Sequence, residues 1–418
     1  MPRAFFLLLA AQFASALADN ALLIVTIALL QEAGMPAWWA PMLKVGFIAS
    51  YVILAPFVGA LADAFPKARL MAWMNGVKLL GVLALLFGLN PLAAFVVVGF
   101  GAAAYAPAKY GLATELVRPA HLVKANGWIE VTAVCAVLFG TGLGGLLVNP
   151  GWIHAMAAHA PALAAGPIAP SLLAVLGLYV LAGVLNLGVH DSGVRHPVRS
   201  IHPAALMREF VTANRLLWRD PDGGLSLAVT TIFWGVGATL QFAVLRWASE
   251  KMHLELDRAA LVQAALALGV IAGAVVAGLY VPLARAKRML HAGVLFGVLM
   301  TVVAFTTSLL PAVALLMTVG AVGGLMVVPL NALLQNRGHE LLSAGRSIAV
   351  QGANENASVL VFLAVYSGLI AIDVPLVALM AGLGIVVALA LALLIRKEDA
   401  RNRRVAVQPE ACPADAKA

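Results

Sequence analysis

Cysteine and charge are both scarce in this sequence. Two of the 418 residues are cysteines, Cys135 in an apolar segment and Cys412 in the charged C-terminal tail, so we expect no disulfide and infer no redox compartment. Charged residues make up 11% of the chain, against 62% hydrophobic residues and a mean hydropathy of +0.97. This composition excludes a water-soluble core and is typical of a polytopic membrane protein.

Several motifs of enzymes are also missing. The sequence has no G-x-x-x-x-G-K-[ST] phosphate loop, which argues against ATP-driven transport, and no H-x-x-x-x-D pair of the glycerolipid acyltransferases. Its nine histidines form neither H-E-x-x-H nor a Cys/His cluster. We therefore predict that the protein is not an enzyme and that it has no catalytic residues, no metal site and no cofactor.

Long apolar runs, by contrast, are abundant. A hydrocarbon core about 30 Å thick needs roughly 20 apolar residues per helix, and twelve such runs recur with short polar breaks. Because backbone polar groups in lipid must be paired internally, we predict twelve transmembrane helices. The predicted spans are 4–30, 41–62, 70–89, 92–113, 125–148, 170–189, 224–245, 259–281, 289–309, 312–334, 347–370 and 375–395.

The basic residues are distributed unevenly between the two sides of these spans. With the N-terminus inside, 22 of the 27 Lys and Arg residues fall on the cytoplasmic side. They lie in the N-terminus, the inner loops and the C-terminal tail, apart from Lys109 at the inner end of the fourth span. Arg246, Lys251 and Arg258 fall in outer loops, while Lys44 and Lys78 fall within spans. The positive-inside rule therefore predicts that both termini are cytoplasmic. The same bias accounts for the net charge of +8 without a nucleic-acid partner.

The stretch ASALADNALL, residues 14–23, has two possible interpretations. Ala16-Leu17-Ala18 follows an apolar run as a signal-peptidase site would, with Asp19 as the first mature residue. Cleavage there would leave DNALLIVTIALL as an apolar remnant too short to span a membrane. We therefore predict that residues 4–30 stay intact and form the first transmembrane helix.

The longest charged break, residues 190–222, separates six spans from six. It contains LMREFVTANRLLW, whose apolar residues recur at helical spacing, as in an amphipathic helix on the inner leaflet. Weak repeats relate the two sides, such as GALADAFPKARLM with GLYVPLARAKRML, and favour duplicated halves with a site between them. The predicted units are an N-terminal half at 1–190, a cytoplasmic linker at 191–222, a C-terminal half at 223–396 and a cytoplasmic tail at 397–418.

Several stretches resemble known transporter sequences. GALADAFPKAR resembles the loop signature of the major facilitator superfamily, with Gly59, Asp63, Lys67 and Arg69 at its signature positions. AQFASALADNALL, YAPAKYG, LVKANGWIE, FWGVGATLQF, VVPLNALLQNRG and AVQGANENA together resemble the bacterial lysophospholipid transporters over nearly the whole chain. One departure is Gln241, where that family carries an Arg.

The resemblance implies a fold and a function. It implies an all-α polytopic membrane protein of the major facilitator superfamily fold in the bacterial inner membrane. It further implies a monomer that moves lysophosphatidylethanolamine and other lyso species of the same class toward the cytoplasmic leaflet by alternating access. An acyltransferase/acyl-carrier-protein synthetase would then re-acylate the lipid, with the substrate and the membrane lipids as the other partners.

Asp19 is the main candidate for a substrate contact. It lies about 15 residues, or roughly 22 Å, into its helix and hence near the bilayer centre, where a charge costs at least about 2.5–3.5 kcal/mol. It could be a counter-ion for the ethanolamine ammonium or a coupling Na⁺ or H⁺, or it could form a structural pair with Lys78. The other candidate cavity residues are polar groups within spans: Asn20, Asn126, Glu130, Gln241, Gln351 and Glu355. The amides among them could instead join helices. Glu130 and Glu355 could take part in proton or ion coupling, or could instead form structural pairs with Lys78, Lys109 or Lys124.

A second set of residues is predicted to gate the inner surface. Asp63 with Lys67 and Arg69 would form ion pairs in one state and break them in another. Lys109, near the inner end of the fourth span, could close against a carboxylate, and Lys78 is a further conformational candidate. The alternative for the basic residues is that they only set the topology.

A rival function for the same fold is export of drugs or other small molecules coupled to an ion. Its cavity would be as apolar as that of a lysolipid carrier, so composition does not separate the two. The sequence also leaves the coupling ion, Na⁺ or H⁺, open.

Overall fold

A computed structural model of the chain describes residues 1–36, 38–159, 168–190, 192–194, 202–254 and 256–407. Within these ranges the chain is built of α-helices and contains no β-strand. The α-helices are α1 (Arg3–Glu32), α2 (Trp39–Ala64), α3 (Lys67–Leu86), α4 (Pro91–Leu116), α5 (Leu122–Leu147), α6 (Pro150–His159), α7 (Ala169–Leu187), α8 (Pro203–Arg219), α9 (Pro221–Met252), α10 (Leu256–Tyr280), α11 (Leu290–Phe305), α12 (Leu309–Leu341), α13 (Ala344–Ala371) and α14 (Leu376–Val407). Short 3-10 helices at Pro119–His121 and Leu283–Met289 precede α5 and α11.

All of these α-helices except α6 and α8 are long and apolar enough to cross a membrane, which gives twelve candidate spans. The prediction of twelve transmembrane helices in two six-helix halves is therefore confirmed, with α8 between the halves. Several helices run past the predicted span ends, since α9 reaches Met252, α12 reaches Leu341 and α14 reaches Val407. Hydropathy marks the edge of the apolar zone, whereas backbone hydrogen bonding continues into polar surroundings.

Parts of the predicted linker and tail lie outside the described residues. Residues 191 and 195–201 of the linker and 408–418 of the tail, including Cys412, belong to these parts. The beginning of the predicted tail, from 397 to 407, continues α14 as helix.

The amphipathic helix predicted in the linker is α8, and its apolar stripe packs on protein. Ala213 and Leu217 are buried in a cluster with Leu227 of α9, Leu334 of α12 and Val350 of α13. The prediction that this stripe lies on the inner leaflet is thus wrong for these residues, because the neighbouring helices cover them. α8 also packs against α2, so it contacts both halves.

Small residues set the closest helix packing in the C-terminal half. A methyl group added at Gly273 of α10 would overlap the backbone at Ala321 of α12, and one at Gly320 would overlap the backbone at Leu266. Close backbone approach of this kind is the usual association mode of helices in lipid, where apolar burial gives little driving force. The run GVIAGAVVAG of α10, which contains Gly273, therefore allows α10 to pack closely against α12.

Candidate functional site

Asp19 and Lys78 form an ion pair in the interior of the N-terminal half. The Lys78 ammonium lies 2.8 Å from both carboxylate oxygens of Asp19. The Lys78 side chain is 2% exposed and the Asp19 side chain 18%. Asp19 follows 16 residues of the 30-residue helix α1, and so lies about 24 Å from its start, near mid-membrane. The pair satisfies both charges where an unpaired one would be costly.

Further polar groups complete the surroundings of this pair. The Tyr179 hydroxyl of α7 donates to Asp19 Oδ1 at 2.8 Å, and Lys78 Nζ donates to Ser15 Oγ at 3.0 Å. Ser15 in turn donates to Asn75 Oδ1 at 2.7 Å. The ring centroid of Tyr105 lies 5.2 Å from Lys78 Nζ, within the range of a cation–π contact. α1, α3, α4 and α7 therefore converge on one charged cluster.

Sequence reasoning did not identify Tyr179, Ser15 or Asn75. The available signal was their polarity within apolar spans, since a buried hydroxyl or amide requires a partner. Polarity alone does not say which partner, because α1 and α7 are far apart in the chain.

Asn20 and Gln241 do not join this cluster. The Asn20 amide donates to the carbonyl of Ala16 in its own helix at 2.8 Å. Gln241 is half-buried on α9, and within the described part of the chain its side chain has no hydrogen bond. Arg246, one turn further along α9, pairs with Glu250 on the exposed surface. The cavity roles predicted for Asn20 and Gln241 remain predictions.

Asp63 joins the two halves by capping a helix of the opposite half. Its carboxylate accepts hydrogen bonds from the Ser343 hydroxyl, from the Gly345 backbone N–H at 2.9 Å and from the Arg346 backbone N–H at 3.3 Å. The two backbone groups are free N–H groups of the first turn of α13, where a carboxylate also meets the positive end of the helix dipole. Asp63 is 1% exposed. The cap therefore ties the end of α2 to the start of α13.

Lys67 and Arg69 have different surroundings from Asp63. Lys67 Nζ lies 2.7 Å from a carboxylate oxygen of Glu115 at the end of α4, and both side chains are almost fully buried. Ser192 also donates to Glu115. Arg69 is exposed, and the described residues give it no ion-pair partner. The predicted single cluster of Asp63, Lys67 and Arg69 is therefore divided, because Asp63 ends α2 facing α13 whereas Lys67 begins α3 facing α4.

Asn126 of α5 and Gln335 of α12 form a second link between the halves. Their amides exchange two hydrogen bonds, of 2.8 and 2.9 Å, and both residues are almost fully buried. Asn126 thus lies at the contact between the halves at the same end as the Asp63 cap. At the opposite end, Lys44 Nζ of α2 lies 5.5 Å from the ring centroid of Phe242 on α9.

The Asn126 and Gln335 amide pair gives a first testable prediction. Asn126→Leu should lower the free energy of unfolding by about 1–3 kcal/mol, because it leaves the buried Gln335 amide without a partner. The double variant Asn126→Leu/Gln335→Leu should recover most of this loss. A double-mutant cycle on the purified protein measures the coupling. Additive losses from the two single variants would contradict the pairing.

The remaining predicted residues lie toward the middle of the interface. Glu130 of α5 interacts electrostatically with Lys109 of α4 and with Glu355 of α13 in the other half. Lys109 Nζ also lies 4.1 Å from the ring centroid of Tyr110. Glu130 and Glu355, one from each half, thus interact electrostatically across the interface.

Gln351 forms a hydrogen bond with one of these glutamates, Glu355. Its amide donates to Glu355 Oε1 at 2.8 Å and to Asn331 Oδ1 of α12. The described residues contain no group of three or more His, Cys, Asp or Glu side chains that could hold a metal ion.

The molecule consists of two six-helix membrane halves, which the Asp63 cap and the amide pair join at one end. Charged clusters lie inside the halves. This is the architecture of a membrane transporter that works by alternating access. The chain belongs to the Major Facilitator Superfamily, whose family model matches residues 8–354. Over 381 residues it is 42% identical to the lysophospholipid transporter LplT of Yersinia pestis (strain Pestoides F). The matched region covers 90% of this chain and 89% of that protein.

Solved structures share the fold at low sequence identity. A bacterial homologue of the iron transporter ferroportin in an outward-facing state has a TM-score of 0.70 and 14% identity, covering 96% of this chain and 100% of that chain. The Escherichia coli fucose:proton symporter has a TM-score of 0.70 and 14% identity, covering 93% and 97%. These likenesses and the family match confirm the predicted fold. The family match and the identity to the Yersinia transporter confirm the prediction that the protein is a transporter and not an enzyme.

Proposed function

We propose that the protein moves lysophospholipid, lysophosphatidylethanolamine in particular, across the bacterial inner membrane to the cytoplasmic leaflet. The observation that carries this proposal is the 42% identity, over 90% of the chain, to a protein named lysophospholipid transporter. The product is re-acylated by an acyltransferase/acyl-carrier-protein synthetase. The transporter works as a monomer. Both of its termini lie in the cytoplasm, an orientation that the positive-inside bias supports.

The Asp19–Lys78 pair suits a zwitterionic headgroup. A lysophosphatidylethanolamine headgroup carries one ammonium and one phosphate, and the pair offers one carboxylate and one ammonium. The ammonium of the lipid binds Asp19 and its phosphate faces Lys78, so the exchange of partners leaves no net charge in the low-dielectric interior. The 18% exposure of the Asp19 side chain supports access to it.

Alternating access requires that contacts between the halves break at one end and form at the other. The Asp63 cap and the pair of Asn126 with Gln335 are the contacts that break when the protein opens to the cytoplasm. Glu130, Glu355 and Lys109 line the path between the halves, where the carboxylates can hold a coupling Na⁺ or H⁺. The boundaries of the moving halves are 1–190 and 223–396.

Reconstitution into phospholipid vesicles tests the transport function. Labelled lysophosphatidylethanolamine is added outside, and albumin then extracts whatever remains in the outer leaflet. The protected fraction should rise with the amount of protein, and mass spectrometry of the recovered lipid should find it chemically unaltered. Imposed Na⁺ and pH gradients identify the coupling ion.

The same vesicles test the rival exporter function. Protein-free vesicles and vesicles of the Asp19→Asn variant serve as controls. Movement of a cationic dye without protection of the lysolipid would support the exporter and contradict the proposal.

A further inference from the structure

A cavity of about 540 Å³ lies between the start of α9 and the end of α14, away from the Asp19–Lys78 pair. Leu225 and Ala228 of α9 and Leu394 of α14 line its apolar part. All three residues belong to membrane-spanning segments. Leu225 and Ala228 lie four and seven residues after the first residue of α9, and Leu394 lies nine residues before Arg403 at the end of the last span. The apolar part of the cavity is therefore at the depth of the outermost lipid chains.

Two cations at this cavity have no partner within the described part of the chain. Arg219, the last residue of α8, and Lys397 of α14 both line the cavity and are exposed, and neither makes a described hydrogen bond or ion pair. Trp218 also lines the cavity and is 41% exposed, as is usual for an indole at a membrane surface.

The anionic residues of the cavity are, in contrast, already engaged. Asp220 pairs with Arg337 at 2.9 Å, and Glu398 pairs with Arg401 at 2.6 Å. Burial alone would raise the pKa of Asp220, but the hydrogen bonds from Arg337 and the Gly223 backbone outweigh it and lower the pKa. Asp220 therefore stays ionised and bound to Arg337. The free charge facing the cavity is positive.

The walls of the cavity are held in place by ion pairs between several elements. Glu398 of α14 also pairs with Lys287 of the 3-10 helix, at 3.2 Å. Asp222 of α9 pairs with both Lys287 and Arg401. The cavity is thus part of a connected framework of α9, α12, α14 and the 3-10 helix, and not a gap between loose side chains.

We infer that this cavity binds an anionic phospholipid, whose phosphate lies between Arg219 and Lys397 and whose acyl chain begins on Leu225, Ala228 and Leu394. Basic pockets between transmembrane helices at the membrane surface are typical sites for anionic lipid headgroups. A soluble anion or an acidic protein would use the two cations but leave the apolar part empty. An amphiphile with a negative headgroup satisfies both parts. The site is separate from the substrate path and does not depend on the proposed substrate.

Native mass spectrometry of the full-length protein, released from detergent with added phosphatidylglycerol or phosphatidylcholine, tests the site. The wild type should retain phosphatidylglycerol preferentially. Arg219→Gln/Lys397→Gln should weaken this binding at least about tenfold, because each Lys or Arg near the surface adds to the attraction for an anionic headgroup. The control Arg215→Gln/Arg396→Gln removes the same charge from the same two helices at exposed positions outside the cavity, and should bind as the wild type does.

Thermal unfolding with and without lipid gives a second readout. Phosphatidylglycerol should raise the unfolding temperature of the wild type and the control but not of the cavity variant. Equal lipid binding by all three proteins, or equal losses in both variants, would overturn the site. Full competition by glycerol phosphate, which has the headgroup charge without a chain, would overturn the assignment to a lipid.

Discussion

Replacing Asp19 by Asn should reduce lysophosphatidylethanolamine uptake at least tenfold and lower the unfolding temperature. The variant leaves the Lys78 ammonium, whose side chain is 2% exposed, without a counter-charge. Removing one partner of a buried ion pair typically costs about 3–5 kcal/mol, because the other charge stays desolvated. Uptake into vesicles and thermal unfolding of the purified variant are the two measurements.

A loss of uptake in this variant could reflect damage to the fold, so a second variant separates the two causes. Asp19→Asn/Lys78→Met removes both charges and keeps a side chain of similar length at position 78. Its stability should return toward that of the wild type, because no charge remains buried. If Asp19 binds the headgroup, its uptake should stay low. Uptake that recovers together with stability would make the pair structural and remove Asp19 from the mechanism.

The charged residues of this pair were predictable from the sequence, whereas their arrangement was only partly so. Asp19 and Lys78 are both conspicuous as charges within apolar spans, and their pairing was one of two alternatives. The Tyr179 hydrogen bond was not foreseen, although it is as short as those from Lys78. It depends on α7 packing beside α1. Hydropathy gives the length of a helix but neither its rotation nor its neighbours.

The inner loop gives a similar contrast. The signature GALADAFPKAR drew attention to Asp63 and Lys67, but nearness in the chain suggested that they pair with each other. Asp63 instead binds Ser343, 280 positions away, and Lys67 binds Glu115. The free N–H groups at a helix start are strong but unspecific hydrogen-bond donors to a carboxylate. Which helix start meets Asp63 is decided by how the two halves pack, and the sequence pattern carries no information on that.

The Asp63 cap should control the balance between the states of the transporter, and Asp63→Ala tests this. Loss of a carboxylate cap costs typically about 0.5–2 kcal/mol, and this cap exists only while α2 contacts α13. The variant should therefore shift the equilibrium toward the state in which this end is open, by about 2- to 30-fold. Spin labels on Phe65→Cys at the end of α2 and Glu340→Cys near the end of α12 can report the distance between the halves. Cys135 and Cys412 are replaced by Ser in every sample.

The control for this experiment is Glu115→Ala. It also removes a buried carboxylate from the same end of the N-terminal half, but its partner Lys67 belongs to that same half. It should lower stability, since Lys67 loses its counter-charge, while leaving the distribution of distances unchanged. Because a transporter needs both states, uptake by Asp63→Ala should fall even if the protein remains stable. Equal distance distributions in the two variants would mean that the cap fixes the fold of α13 without setting the state of the transporter.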